Sequence, residues 1–342
     1  MKFQNHIGLD IGGSTIKLVQ LAASGDKFNL SSIAIAEASK VEKISDKDIA
    51  DSEIVKKMVH DSGAVGKMCV VSLPESQVYT RVVEMPFMEE PDLSTTIKWQ
   101  AEQYIPVALE NVVLKHQIIS LPENGVPGAK MTVLLVAAPN ELVNRYLEIL
   151  VRAKLEAAAV ETEIFAVARA IVAGDSVFPV TLLVNMGSDI TTLAVLKKGD
   201  LSLTQTVGLG GRAMNRSLTS GLGLEDSQAE EYKKSYGLDL TKLEGKVFKV
   251  IAPVVDQVLT EVKKVIAFYE TRPDASAVKR VVLAGGTALM PGLLGYFSQN
   301  LGLEVQLGNP FSTIVLNDKQ KQAVYDAGPL FAASVGLAMK LT

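Results

Sequence analysis

Apolar positions in this 342-residue chain recur with a period of two in short runs and near 3.6 in longer ones, which predicts strands and amphipathic helices in alternation. Residues 7–21, IGLDIGGSTIKLVQL, read as two apolar strands around a Gly12-Gly13-Ser14-Thr15 turn, with Asp10 on the first strand and Lys17 on the second. FNLSSIAIAEA (28–38) predicts a third strand. In 47–63, Ile54, Met58 and Val59 share one helical face and Gly63 supplies a stop. KMCVVSLP (67–74) is a continuous apolar run, as a buried strand requires. The order to this point is β-β-β-α-β.

The pattern then changes. YTRVVEMP (79–86) predicts a strand, and 91–105 a helix opened by Pro91 and closed by Pro106. Residues 111–119 and 130–138 read as strands joined by the proline- and glycine-rich loop 121–128. Residues 140–155 form an amphipathic helix with Leu142, Tyr146, Ile149, Leu150 and Ala153 facing inward. This β-α-β-β-α block predicts a compact unit inserted in a first domain. A strand and helix at 158–174 bridge to a second half. That half holds a hairpin, a Lys198-Gly199-Asp200 turn and a further strand over 180–211, then helices at 211–223, 224–238 and 246–272. A strand at 279–286 and helices at 290–302 and 328–340 close the chain.

The opening hairpin recurs. In LLVNMGSDITTLAVL (182–196), Asn185 aligns on Asp10, Gly187 on Gly12, Ser188 on Gly13, Leu193 on Leu18 and Leu196 on Leu21. A third glycine turn, Gly285-Gly286-Thr287, follows an apolar strand. Glycines at a tight turn bare backbone N–H groups to an anion, because no Cβ blocks its approach. Ser14 and Thr15 add hydroxyl donors, Lys17 can neutralise phosphate charge, and Asp10 can hold a metal ion through water. One such turn is equally a plain hairpin; the repetition is what points to a cleft for phosphates.

Composition removes other classes. Hydrophobic residues make up 48% and charged residues 21% of the chain, so it can bury a core. The net charge is −4 and no lysine–arginine cluster stands out, so nucleic acid is not an expected partner. Cys69 is the one cysteine, which excludes an internal disulfide and a cysteine-rich zinc site. His6, His60 and His116 lack metal-ligand spacing. The N-terminus has no apolar signal core, and no stretch is long enough to span a bilayer. The expected location is the cytoplasm.

The two phosphate hairpins and the late glycine pair resemble the actin-like ATPase superfamily. The run WQAEQYIP (99–106), followed by Glu110 and Val112, and the strand pair VVSLPESQVYTRVVEMP before it, resemble the inserted subdomain of the PilM family of type IV pilus assembly proteins. The cell-division protein FtsA is similar, but carries an amphipathic membrane tail after a linker; this chain ends GLAMKLT. Residues 158–174 resemble the interdomain connection D-x-E-x-F-A-L-x-R. Glu161 stands for the aspartate, and Glu163, Phe165, Ala166 and Arg169 match.

The resemblance implies an α/β, actin-like fold with two related lobes around a nucleotide cleft. It divides the chain into a first subdomain at 1–77, an insert at 78–156 and a connection at 157–178. The second lobe follows at 179–210, 211–272 and 273–327, and 328–342 returns to the first. It implies Mg²⁺ and ATP in the cleft. The contacts would be Asp10, Gly12, Gly13, Ser14, Thr15 and Lys17 from the first hairpin and Asn185, Gly187 and Ser188 from the second. Gly210 and Gly211, Glu230 and Lys233 of the A-E-E-Y-K helix, and Gly285, Gly286 and Thr287 would complete them. A solvated surface pair would give Glu230 and Lys233 the same spacing.

The resemblance further implies a partner: the short cytosolic N-terminal peptide of an inner-membrane protein of PilN type, in a groove between the insert and the first domain. The insert lacks any catalytic constellation, and Gln103, Tyr104 and Val112 are its expected contacts. Other pilus-assembly proteins, including the assembly ATPase, would join at the cytoplasmic face of the inner membrane, without direct membrane insertion. Many superfamily members carry an aspartate where this chain has Asn185. An amide can neither take a proton at neutral pH nor charge-balance a cation, so slow turnover is expected unless Asp189 or Glu161 supplies the carboxylate. DIGGSTIK also resembles the phosphate loop of sugar kinases. Those need a catalytic aspartate in an E-N-D or G-N-D setting, which this chain lacks.

Overall fold

The computed structural model describes residues 5–25, 27–121, 130–173, 178–272, 275–324 and 326–341. The loop expected at 121–128 lies outside them after Leu121. The first lobe opens with β1 (Ile7–Ile11), β2 (Thr15–Ser24), β3 (Lys27–Glu37), α1 (Ile44–Ser62) and β4 (Met68–Leu73). Next come β5 (Tyr79–Pro86), α2 (Glu90–Tyr104), β6 (Val112–Ser120), β7 (Lys130–Pro139), α3 (Asn140–Arg152), β8 (Glu156–Thr162) and α4 (Glu163–Val172). The second lobe contains β9 (Thr181–Met186), β10 (Thr191–Lys197), β11 (Asp200–Val207), α5 (Gly211–Leu222), α6 (Asp226–Ser235) and α7 (Lys246–Glu270). It continues through β12 (Arg280–Ala284), α8 (Leu293–Leu301) and β13 (Glu304–Leu307). The chain ends with β14 (Ile314–Val315), α9 (Asp318–Val324) and α10 (Ala332–Ala338).

Two sheets share one topology. In the first, β3-β2-β1 are antiparallel neighbours, β4 joins β1 in parallel, and β8 joins β4 in parallel. In the second, β11-β10-β9 are antiparallel, and β12 and β13 follow in parallel. β1 and β9 are buried along their whole lengths, as their near-continuous apolar runs demand.

Helices α4 and α10 lie between the sheets. Ala166 and Leu337 pack on Val70 of β4, while Ile164, Val167, Ala332 and Ala333 pack on Leu183, Ala194 and Val282 of the second sheet. Small residues on both helices let the two lobes approach through one helical layer.

The insert forms its own sheet, β5-β7-β6, with α2 laid over it through Leu93, Ile97 and Ala101. The block divides differently from the expected β-α-β-β-α unit. The inward face of α3, Leu142, Tyr146, Ile149 and Leu150, belongs to the first-lobe core with Leu9, Val55 and Val71. Arg145 of α3 also clasps Asp48 of α1 through two bonds of 2.9 Å. The insert touches the second lobe as well: Arg272 donates to Glu84 of β5 at 2.6 Å and to the Ser202 carbonyl of β11 at 3.0 Å.

β13, β14 and α9 carry no sustained periodic signal in the sequence. The two strands are four and two residues long, and α9, DKQKQAV, buries only its last residue, Val324, so it shows no apolar stripe.

Candidate functional site

Both glycine hairpins fold the same way. Gly12 N–H donates to the Thr15 carbonyl at 3.0 Å, and Gly187 N–H donates to that of Ile190 at 2.9 Å, 175 residues on. Asp10 faces Lys17 across the first hairpin and Asn185 faces Thr192 across the second. Lys17 Nζ donates to Asp10 at 2.9 Å, and Ser72 Oγ on the neighbouring β4 donates to the other carboxylate oxygen at 3.1 Å. Both ion-pair partners are buried.

The hairpin tips meet. A Cβ on Gly13 would fall 2.6 Å from Ser188 Oγ and still closer to Asp189 Oδ2, so those two side chains would have to move aside for one. Gly13 and Ser14 are exposed at this mouth. Ser188 Oγ donates to Asp189 at 2.7 Å. Arg212, on the first turn of α5, donates to Asp189 at 2.8 Å and to the Gly13 carbonyl at 2.6 Å, so it spans the lobes.

The remaining second-lobe candidates join the same network. Gly210 caps α5; the Gly211 and Arg212 N–H groups donate to the Gly187 and Ser188 carbonyls at 3.0 and 2.8 Å. Thr287 Oγ1 donates to the Gly187 carbonyl at 3.0 Å, and Gly286 opens the turn that carries Thr287. Gly285, at φ 84°, brings its backbone against Met186, where a Cβ would lie 3.0 Å from Asn185 Oδ1.

Glu230 and Lys233 are not a solvated pair. Lys233 is 6% exposed and bonds Glu230 at 2.6 Å and the Gly211 carbonyl at 3.3 Å. Burial raises the Glu230 carboxyl, but hydrogen bonds from Lys233, Asn215 and Lys234 outweigh it and hold the group at about 2. Burial lowers Lys233 against the pull of Glu230.

Sequence reasoning gave Glu163 no role. It opens α4, and its Oε1 accepts from Asn185 Nδ2 at 2.9 Å. The surrounding protein and the nearby Asp10 charge raise its carboxyl to about 7, against hydrogen bonding from Asn185 and the Lys17 charge. The carboxyl group beside Asn185 is therefore that of Glu163, and neither of the two alternatives, Glu161 and Asp189, reaches it. Glu161 is held by Arg169 at 2.7 and 2.8 Å and by Lys340 at 2.7 Å, and Asp189 faces Arg212 at the tip. The signal was present: Glu163 sits in the connection motif, but only the packing of α4 on β9 brings it to Asn185. A carboxyl titrating near neutrality can take a proton from water, which the Asn185 amide cannot.

The three insert candidates separate. Gln103 and Tyr104 are exposed at the end of α2, with the Arg81 guanidinium 5.2 Å from the Tyr104 ring centre. Val112 is 7% exposed and packs with Ala101, Ile105 and Ala137. It is a core residue rather than a surface contact.

A sequence model of the type IV pilus assembly protein PilM family matches residues 8–342. The chain belongs to the PilM family. Over its full length it is similar in fold to a chain of a PilM–PilN type IV pilus biogenesis complex, with a TM-score of 0.86 at 24% identity, covering 99% of this chain and 98% of that one. The cell division protein FtsA of Pseudomonas aeruginosa is 26% identical over 180 residues, 46% of this chain and 41% of FtsA; the match thus spans less than half of that relative. MreB5 of Spiroplasma citri, solved bound to AMPPNP, shares the fold at a TM-score of 0.54 and 12% identity, covering 97% of this chain and 95% of MreB5. The PilM-family chain thus has the actin-like fold read from its hairpins. Among the described residues, no helix is long and apolar enough to cross a membrane.

Proposed function

We propose that this PilM-family chain binds Mg²⁺-ATP between its lobes. The nucleotide state then governs how it holds the N-terminal peptide of a PilN-type inner-membrane partner. The observation that carries this reading is the pair of register-matched hairpins meeting tip to tip, with Gly13 of one against Ser188 and Asp189 of the other. The residues that fit the ligand are Ser14, Thr15 and Lys17, which would meet phosphate, and Asp10, which would hold Mg²⁺ through water. The ion would supply charge neutralisation at the phosphates. Lys233 and Glu230 would line the adenosine side with Gly285 and Gly286. Glu163 is the base available to a water. Because the Asn185 amide already donates to it, turnover is expected to be slow.

Thermal denaturation tests the site. ATP with Mg²⁺ at a hundred times its Kd stabilises a protein that binds it only when folded by about 2.7 kcal/mol, a clear rise in Tm. Lys17→Ala lowers the starting Tm, since it leaves Asp10 buried without its cation. The expected result is that its ATP-induced rise, measured from its own baseline, shrinks or vanishes. In the same preparations phosphate release should be slow in wild type and absent in Glu163→Gln. A wild-type Tm indifferent to ATP and ADP would remove the nucleotide reading.

The partner arm rests on the exposed end of α2. Tyr104→Ala and Gln103→Ala are expected to weaken a labelled partner peptide by roughly fivefold or more, the scale of an interface anchor, with the ATP shift unchanged. Val112→Ala should instead lower Tm as a core truncation does. Fluorescence anisotropy reads the first effect, and unchanged binding in both surface variants would move the peptide site elsewhere. Such a partner would bring the chain to the cytoplasmic face of the inner membrane, where other assembly proteins, the assembly ATPase among them, would meet it.

A further inference from the structure

The mouth of the cleft holds a cation that the proposed function has not used. Arg212 reaches from α5 across both hairpin tips, to the Gly13 carbonyl of the first lobe and the Asp189 carboxylate of the second. We infer that Arg212 reads the terminal phosphate of the bound nucleotide, and so distinguishes a triphosphate from a diphosphate. This rests on the reading of the cleft as a nucleotide site.

Three observations support it. First, the other cations near the tips, Lys17 and Lys233, are buried in their pairs, whereas Arg212 is half exposed and free to change partner. Lys17 is paired with Asp10, Lys233 with Glu230, and the first amides of α5 with the Gly187 and Ser188 carbonyls. Second, the present partners of Arg212 are weak competitors. Arg212 and Asp189 are each 48% exposed at the side chain, and exposed ion pairs contribute about 0–1 kcal/mol. A guanidinium carries five N–H donors and matches phosphate oxygens two at a time, so exchanging Asp189 for a multiply charged phosphate is favourable. Third, the position selects the phosphate. The adenosine candidates Glu230, Lys233, Gly285 and Gly286 all belong to the second lobe. A nucleotide anchored there meets the first-lobe hairpin with the far end of its phosphate chain, where Arg212 lies.

Isothermal titration of ATP and of ADP, each with Mg²⁺, into wild type, Arg212→Ala and Arg212→Lys tests the inference. Hydrogen bonds to a charged group are worth enough that Arg212→Ala should lose about tenfold to a hundredfold in ATP affinity. ADP affinity should stay within about twofold, the effect of an exposed pair. Arg212→Lys keeps the charge without the fork and should fall between. Equal losses for both nucleotides would make Arg212 an interlobe staple only, and tighter ATP binding would make it a guard over the site; either result overturns the inference. So would unchanged affinities. If wild type binds neither nucleotide, the proposed site fails and the inference with it. A circular dichroism melt confirms that the variants fold, as the removal of a half-exposed pair allows.

Discussion

Gly336→Ala is expected to destabilise the fold by at least about 3 kcal/mol, the upper range of overpacking. The added methyl would run into the Ala166 carbonyl oxygen and, at 2.9 Å, its Cα. These are backbone atoms of α4 and cannot rotate away. On its other side α10 lies directly over β1, where a Cβ on Gly8 would strike the Ser334 carbonyl and the Ala338 nitrogen. The helix is held from both sides, so the strain has no outlet. Gly295→Ala is the control. That glycine lies in α8 with nothing within 4 Å of its Cβ position, so helix propensity alone predicts a gain of up to about 1 kcal/mol. Urea unfolding of the two variants reads the difference. Similar midpoints for both would mean that α10 does not sit as tightly between the lobes as described. The effect bears on function because α4 and α10 are the layer through which the lobes, and hence the two hairpins, are set against each other.

Stability is also expected to fall as pH rises from about 4.5 to about 7, because the carboxyls of Glu75 and Glu163 are both raised to about 7 in the folded state; the share of Glu75 can be tested by itself. The Glu75 side chain is buried after β4, accepting from Thr80 at 3.0 Å and from the Ile164 amide at the start of α4 at 3.5 Å. Burial raises its carboxyl from 4.5 to about 7, and the hydrogen bonds only partly offset this. The folded state therefore holds a proton that the unfolded chain has released. The stabilisation is fully present below 4.5 and is lost as pH climbs through about 7. The interval corresponds to a loss on the order of 3 kcal/mol. Glu75→Gln keeps the shape and cannot titrate. Measured by urea unfolding between pH 5 and 8, wild type should lose stability relative to Glu75→Gln as pH rises. Glu230 does not confuse the test: its carboxyl is held at about 2, so its contribution is lost only in acid. Parallel profiles would show that Glu75 has no share in the loss.

The sequence by itself determined what repeats and what alternates. Apolar runs and glycine turns placed the hairpins, their strands and the late glycine pair, because strand burial and turn geometry are local demands that residues 7–21 and 182–196 answer in the same register. The inward face of α3 was legible for the same reason. Only the tertiary structure decided which charged groups share a space. Glu163 stands beside Asn185 because α4 packs against β9, twenty-two residues away in sequence. Ser72 reaches Asp10 because β4 lies parallel to β1. Lys233 is buried against Gly211 rather than solvated, which its spacing to Glu230 did not reveal. Val112 turned inward under α2, and α3 went to the first-lobe core rather than to the inserted sheet, since an amphipathic face states that it will be covered but not by what. Arg212 spans the lobes only because the Gly13 carbonyl, 199 residues distant, comes within its reach. Periodicity is written along the chain, while electrostatic partnership depends on distances that exist only after the two lobes have closed on one another.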